Sequence, residues 1–241
     1  MKMIIKPFTV TVMAVLFCMV FIACYEEPEI PPLYGDWKER IERGRKKYND
    51  FRYKIEDGEI KILRYEGEGG TVTIPAEIEE IPVTTIGLYA FRETKLTEII
   101  IPDSITTIGE MAFFDNELTD LFIPDSVKKI EYYAFASNKL TSVTISHSIT
   151  IIEYGIFYNN KLTSVIIPNG VTKVYHDAFG FNPLVEITIG KNVSLNDFAF
   201  SSVSIDHFIV GGFFAETYKE NGRLAGTYTR PDVYSAVWTR Q

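Results

Sequence analysis

Leu118-Thr-Asp-Leu-Phe-Ile-Pro-Asp-Ser-Val-Lys-Lys-Ile-Glu-Tyr-Tyr-Ala-Phe135 decides the fold, because the middle of the chain is this phrase rewritten. Phe91, Phe113, Phe135, Phe157 and Phe179 follow at steps of 22 residues and Phe200 at 21, while Leu96, Leu118, Leu140, Leu162 and Leu184 keep the same step. Self-similarity at a fixed period of this size marks a solenoid, in which each unit buries its apolar side only against its neighbours.

Within each unit a first apolar triplet reads Leu-x-x-Ile-x-Ile, as in Leu96/Ile99/Ile101, Leu118/Leu121/Ile123, Leu140/Val143/Ile145, Leu162/Val165/Ile167, Leu184/Ile187/Ile189 and Ile205/Phe208/Val210. The last two members alternate with an outward residue, which is strand periodicity. Pro102, Pro124 and Pro168 then end the strand, since proline has no N–H for a ladder. A second triplet, such as Val127/Ile130/Phe135, returns along the other side. Strands of successive coils should therefore stack in parallel. Asn116, Asn138, Asn160 and Asn182 recur two residues before each Leu, where an amide can satisfy turn backbone of its own and the adjacent coil.

The pattern L-T-x-V-x-I-P-x-x-V-x-x-I-x-x-x-A-F, read in Leu118–Phe135, Leu140–Phe157 and Leu162–Phe179, resembles the BspA-like leucine-rich repeat family of bacterial surface proteins. The expected fold is a β-rich leucine-rich-repeat solenoid of about six 22-residue coils with short parallel strands, capped at both ends. What the resemblance implies for function is adhesion, by attachment to host or neighbouring-cell macromolecules.

Residues 1–23 read as a lipoprotein signal peptide. Lys2 and Lys6 precede an apolar run, and Phe21-Ile22-Ala23-Cys24 resembles a bacterial lipobox. Cys18 would leave with the signal, so Cys24 would remain as the single thiol and the site of lipidation. The expected location is the envelope of a bacterium, at the outer membrane or cell surface, with a membrane attachment through this N-terminal lipid. Residues 24–50 read as a tether and a short helix, Asp36 to Lys47, with Asp36 as N-cap and Glu39 completing a capping box.

Residues 51–90 form the expected N-terminal cap, with a hairpin about Asp57-Gly58 and a first strand in Gly69–Pro75. Repeats are assigned to 91–211 and a C-terminal cap to 212–241. That cap should contain a helix from Phe213 to Lys219 and a closing hairpin of Ala225–Thr229 with Val233–Thr239.

No chemistry is legible. His147, His176 and His207 fall at different phases of the repeat, without a metal-ligand partner at spacing. No phosphate loop, nucleophile elbow or thiol nucleophile occurs in the repeat domain. The reading is non-catalytic, with no cofactor and no metal. Net charge of −8, falling to −10 once Lys2 and Lys6 leave with the signal, argues against nucleic acid as a partner.

The outward strand positions make the candidate binding face: Glu98 and Ile100, Asp120 and Phe122, Ser142 and Thr144, Ser164 and Ile166, Glu186 and Thr188, His207 and Ile209. Ile100, Phe122, Ile166 and Ile209 are apolar residues that the core does not need, and exposed apolar patches mark interaction sites. The expected partner is a protein or a glycan. Two other readings remain open: a periplasmic scaffold of the envelope, and, remotely, a glycan-acting enzyme using Glu98 and Asp120.

Overall fold

A computed structural model describes residues 46–196, 198–200, 204–205, 208–209, 213–233, 235 and 237–241. The signal peptide, Cys24 and most of the expected helix lie outside the described residues. Lys46 and Lys47, given to that helix, instead begin strand β1 (Lys46–Tyr48), which pairs antiparallel with β2 (Phe51–Glu56). Asn49 takes φ of 49° in the two-residue connection and so reverses the chain where a helix would have continued.

From β2 the chain turns through Asp57 and Gly58, both at positive φ, into β3 (Glu59–Tyr65). Strand β4 (Gly70–Thr73) opens the repeat stack, and β5 (Glu77–Ile78) folds back on β6 (Ile81–Ile86) about Glu79 and Glu80, again both left-handed.

Each later coil carries two short strands. They are β7 (Leu96–Ile100) and β8 (Thr107–Ile108), β9 (Asp120–Phe122) and β10 (Lys129–Ile130), then β11 (Ser142–Thr144) and β12 (Ile151–Ile152). β13 (Ser164–Ile166) and β14 (Lys173–Val174) follow, and β15 (Glu186–Ile189) and β16 (Ser194–Leu195) complete the series.

The first member of each coil stacks parallel on the face anticipated from the sequence: β4 on β7, β9 on β11 and β13 on β15. Between these pairs the bonding moves to the strand approach, with Glu117 N–H donating to Leu96 O and Lys161 N–H to Leu140 O. The strands run three to five residues, too short for one unbroken ladder. The return segments form a second parallel ladder, β3-β6-β8-β10 and then β12-β14-β16, which the sequence had shown only as an apolar triplet.

Both triplets point inward. Leu96, Leu118, Leu140, Leu162 and Leu184, and the phenylalanines beside them, are buried in one continuous core; Val143 is only partly covered. The rings of Phe91, Phe113, Phe135, Phe157, Phe179 and Phe200 stack in a single file, neighbouring centroids 4.9–5.9 Å apart. Tyr65 continues the file at one end and Phe214 closes it edge-on at the other.

The asparagines act as the spacing predicted. Each Oδ1 accepts from a backbone N–H one coil back, at Leu96, Leu118, Leu140 and Leu162, within 3.0–3.2 Å. Each Nδ2 donates to the carbonyls of two successive phenylalanines of the file, as Asn138 does to Phe113 and Phe135. Ser146, where a proline was expected, keeps the turn: Ile149 N–H still donates to its carbonyl, and its hydroxyl donates to Val127 O at 2.8 Å.

The end of the array differs from expectation. Strand β17 (Ser204–Ile205) pairs with β18 (Phe208–Ile209) in a local antiparallel hairpin rather than extending the stack. The helix α1 (Phe213–Glu220) follows, and the free edge of β15 is taken by β19 (Gly226–Thr229), antiparallel, with β20 (Thr239–Arg240) outside it. The coil from Phe179 to Phe200 is one residue short, but the deletion is absorbed before β16, which still pairs with β14, and Phe200 still stacks on Phe179. The expected strand Val233–Thr239 is reduced to its last residue, because the loop carries Arg230 and Trp238 inward. Arg230 Nε donates to Leu184 O at 2.6 Å, the carbonyl that a further coil's backbone would have bonded, and its guanidinium lies 4.9 Å from the Trp238 ring.

Candidate interaction face

Outward positions on the first ladder are set by alternation, with inward Ile99, Leu121, Val165 and Ile187 leaving their neighbours in solvent. Cα pairing sets Ser142 beside Asp120 and Thr144 beside Phe122, then Ser164 beside Glu186 and Ile166 beside Thr188. Phe122 and Ile166 keep 63% and 68% of their surface, Ile100 48%. Glu98 pairs with Thr71 across β4 and β7, where the Thr71 hydroxyl donates to it at 3.1 Å.

Glu98 and Asp120 are brought together. With Thr97 and Thr119 they line a shallow cavity of about 360 Å³. Asp120 accepts from the hydroxyls of Ser142 at 2.7 Å and Thr119 at 3.0 Å. On the approach to the face Glu117 and Lys139 pair at 2.8 Å, and the lysine holds the Glu117 carboxyl below its usual range. Such exposed pairs contribute little stability.

Beyond Glu186 and Thr188 the predicted row does not continue. Thr188 is half-buried under β19, its hydroxyl 2.9 Å from that of Thr227, and Glu186 lies opposite Thr229. Ile209 sits in β18 opposite Ser204, not beside Thr188, and His207 falls outside the described residues. The antiparallel strand β19 takes the edge of β15 that Ile209 was expected to occupy.

Residues 83–209, just over half of the chain, match the BspA type leucine-rich repeat region in six copies. The chain belongs to the BspA-type leucine-rich repeat family. This membership makes it a protein-interaction repeat protein of solenoid fold. Among solved structures the BspA-type chain is similar to a leucine-rich repeat protein of T. pallidum, with 26% identity over 56% of this chain and 65% of that one, TM-score 0.48. It is also similar to the pneumococcal vaccine antigen PcpA, at 18% identity over 70% and 54% with TM-score 0.47. A third is a leucine-rich cell surface protein of Faecalibacterium prausnitzii, at 22% over 60% and 56% with TM-score 0.34. In all three the match takes in less than two thirds of the solved chain. No curated protein matches with significance.

A second surface escaped the sequence reading. Outside the return ladder Tyr132, Tyr154 and Tyr175 form a row, centroids 5.6 and 4.7 Å apart, with Glu110, Glu131 and Glu153 beside it. Its signal in the sequence is Glu131-Tyr132 and Glu153-Tyr154, one period apart.

Proposed function

We propose that this chain is a non-catalytic, lipid-anchored bacterial surface protein that binds another macromolecule through the outer face of β7, β9, β11 and β13. The observation that carries the reading is the exposure of Ile100, Phe122 and Ile166 on one face. A solenoid's sheet is its broadest rigid surface, and side chains there can change without disturbing the core. Glu98 and Asp120 add polar recognition at one end of the patch, each already accepting a neighbouring hydroxyl. That arrangement suits a binding role better than proton transfer, which calls for a group poised near a reacting atom. Lipidation at Cys24 would tether the face to the envelope.

The test is binding of the protein to a panel of matrix proteins and envelope extracts, beside the double variant Phe122→Ala/Ile166→Ala. Saturable binding that the double variant loses, at an unchanged melting temperature, supports the face. Binding equal in both proteins removes the face from the proposal. No binding by folded protein would favour an envelope scaffold, and protease accessibility on whole cells would separate the two locations.

A further inference from the structure

The sequence holds two Asn-Gly pairs, Asn169-Gly170 and Asn221-Gly222. In such a pair the side-chain amide carbon can be attacked by the main-chain nitrogen of the next residue, and glycine offers that nitrogen with no Cβ in the way. All four residues are exposed, so access to solvent does not separate the two pairs. Hydrogen bonding does.

Asn221 follows directly on α1. Its backbone N–H and its Nδ2 both donate to Thr217 O, at 3.0 and 2.8 Å, and Gly222 N–H donates to Lys219 O at 3.0 Å with φ of 67°. This is the left-handed close of a helix. Amide and nitrogen are both held there, and those bonds must break before the two can react. Asn169 and Gly170 are instead the central residues of a turn that Val171 N–H closes on Pro168 O at 3.0 Å. Neither the Asn169 side chain nor Gly170 N–H has a hydrogen-bond partner among the described residues. Their approach needs the rotation of exposed groups and breaks no bond of the fold.

We propose that Asn169-Gly170 is a self-modification site of the folded protein, where water converts the asparagine to aspartate and isoaspartate, while the helix end keeps Asn221-Gly222 inert. Gly170 N bonds to Asn169 Cγ as the bond from Cγ to Nδ2 breaks. Nδ2 takes the proton that Gly170 gives up and leaves as ammonia. Water then opens the cyclic imide: cleavage at Cγ restores the chain as aspartate, and cleavage at the main-chain carbonyl leaves isoaspartate. Each event adds one negative charge three residues beyond the exposed Ile166. Aspartate suits the turn, since Asp103 and Asp125 hold this place in earlier coils and Asp125 accepts from His147 N–H one coil on at 2.7 Å. Isoaspartate lengthens the main chain by one carbon inside the turn that leads into buried Val171.

The test is incubation of the full chain in warm, mildly alkaline buffer, with and without denaturing urea, followed by peptide mapping that separates asparagine, aspartate and isoaspartate at both positions. In the folded protein Asn169 should convert at least tenfold faster than Asn221, and in urea the two rates should converge. Gly170→Ser, which restores the residue found at this turn position in Ser104, Ser126 and Ser148, should slow conversion at 169 at least tenfold and leave 221 unchanged. Equal rates at the two sites in the folded protein overturn the proposal. So does an Asn169 that reacts only in urea, and so does a difference between the sites that persists in urea, which would assign it to local sequence and not to the fold. Conversion at 169 indifferent to Gly170→Ser overturns the attack by Gly170 N.

Discussion

Replacing Asn138 tests the asparagine row most directly. Its amide accepts from Leu118 N–H at 3.2 Å and donates to Phe113 O at 2.9 Å, Phe135 O at 3.2 Å and Ala136 O at 3.3 Å. In Asn138→Ala the carbonyls keep other donors: Asn116 still serves Phe113, Asn160 serves Phe135, and Asp115 N–H serves Ala136. Leu118 N–H loses its partner inside the protein. An orphaned buried donor costs about 1–3 kcal/mol, and the lost amide bonds and small void bring the expected total to about 2–4 kcal/mol. Urea unfolding followed by circular dichroism measures it.

Asn138→Asp sharpens the test. Its carboxylate can still accept from Leu118 N–H but faces three carbonyl oxygens, which disfavours the charge and raises its folded pKa above the unfolded value of about 3.9. The native state then binds the proton more tightly, so stability falls as pH rises through that window and recovers as pH is lowered. Asn138→Ala should keep a constant deficit over the same range. A loss below about 0.5 kcal/mol in the alanine variant, the size of an ordinary surface substitution, would refute the argument, as would an aspartate deficit indifferent to pH.

Leu140→Ala, deep in the core, should cost about 2–5 kcal/mol in the same unfolding experiment. Gly155→Ala should cost about 1–3 kcal/mol, because φ is 59° there and a Cβ would lie 2.1 Å from the Tyr133 ring. Tyr218→Phe removes a hydroxyl that donates to Gly190 O at 2.6 Å and accepts from Val193 N–H, so thermal unfolding should report a loss of about 1–3 kcal/mol. Glu110 has a raised folded pKa, caused first by burial, so its ionisation opposes folding and wild-type stability is drawn down as pH rises above its unfolded range. Glu110→Gln lacks that slope, and its melting temperature should gain on wild type between about pH 4 and 7.

The repeat was legible because its physics is local and recurs. Leu96 and its successors, the Ala-Phe pairs and the asparagines each need the same neighbour one period away, so six copies report one structure. The outward row was legible for the same reason as far as Ile166. It failed at Ile209, where the competing partner, Gly226–Thr229, comes from a distant tail and wins the edge of Glu186–Ile189 through backbone bonds that no side-chain pattern announces. Lys46 and Lys47 were expected in a helix because a basic run with good helix formers says nothing of a turn at Asn49 that offers it a strand to pair with. The Tyr132/Tyr154 surface was missed because periodicity in exposed positions looks like ordinary drift until a ladder places the residues side by side.

In the asparagine row the bonds always run between equivalent atoms of adjacent turns, so a gain or loss of one whole period would return each donor to an equivalent acceptor. Length is thus a counted quantity in this architecture while girth is not: one more copy lengthens both outer surfaces by a rung of about 4.8 Å and asks nothing new of the interior. A partner that reads several rungs would sense the count itself, and descendants of this chain could change what they hold by duplicating a line of text rather than by rewriting one.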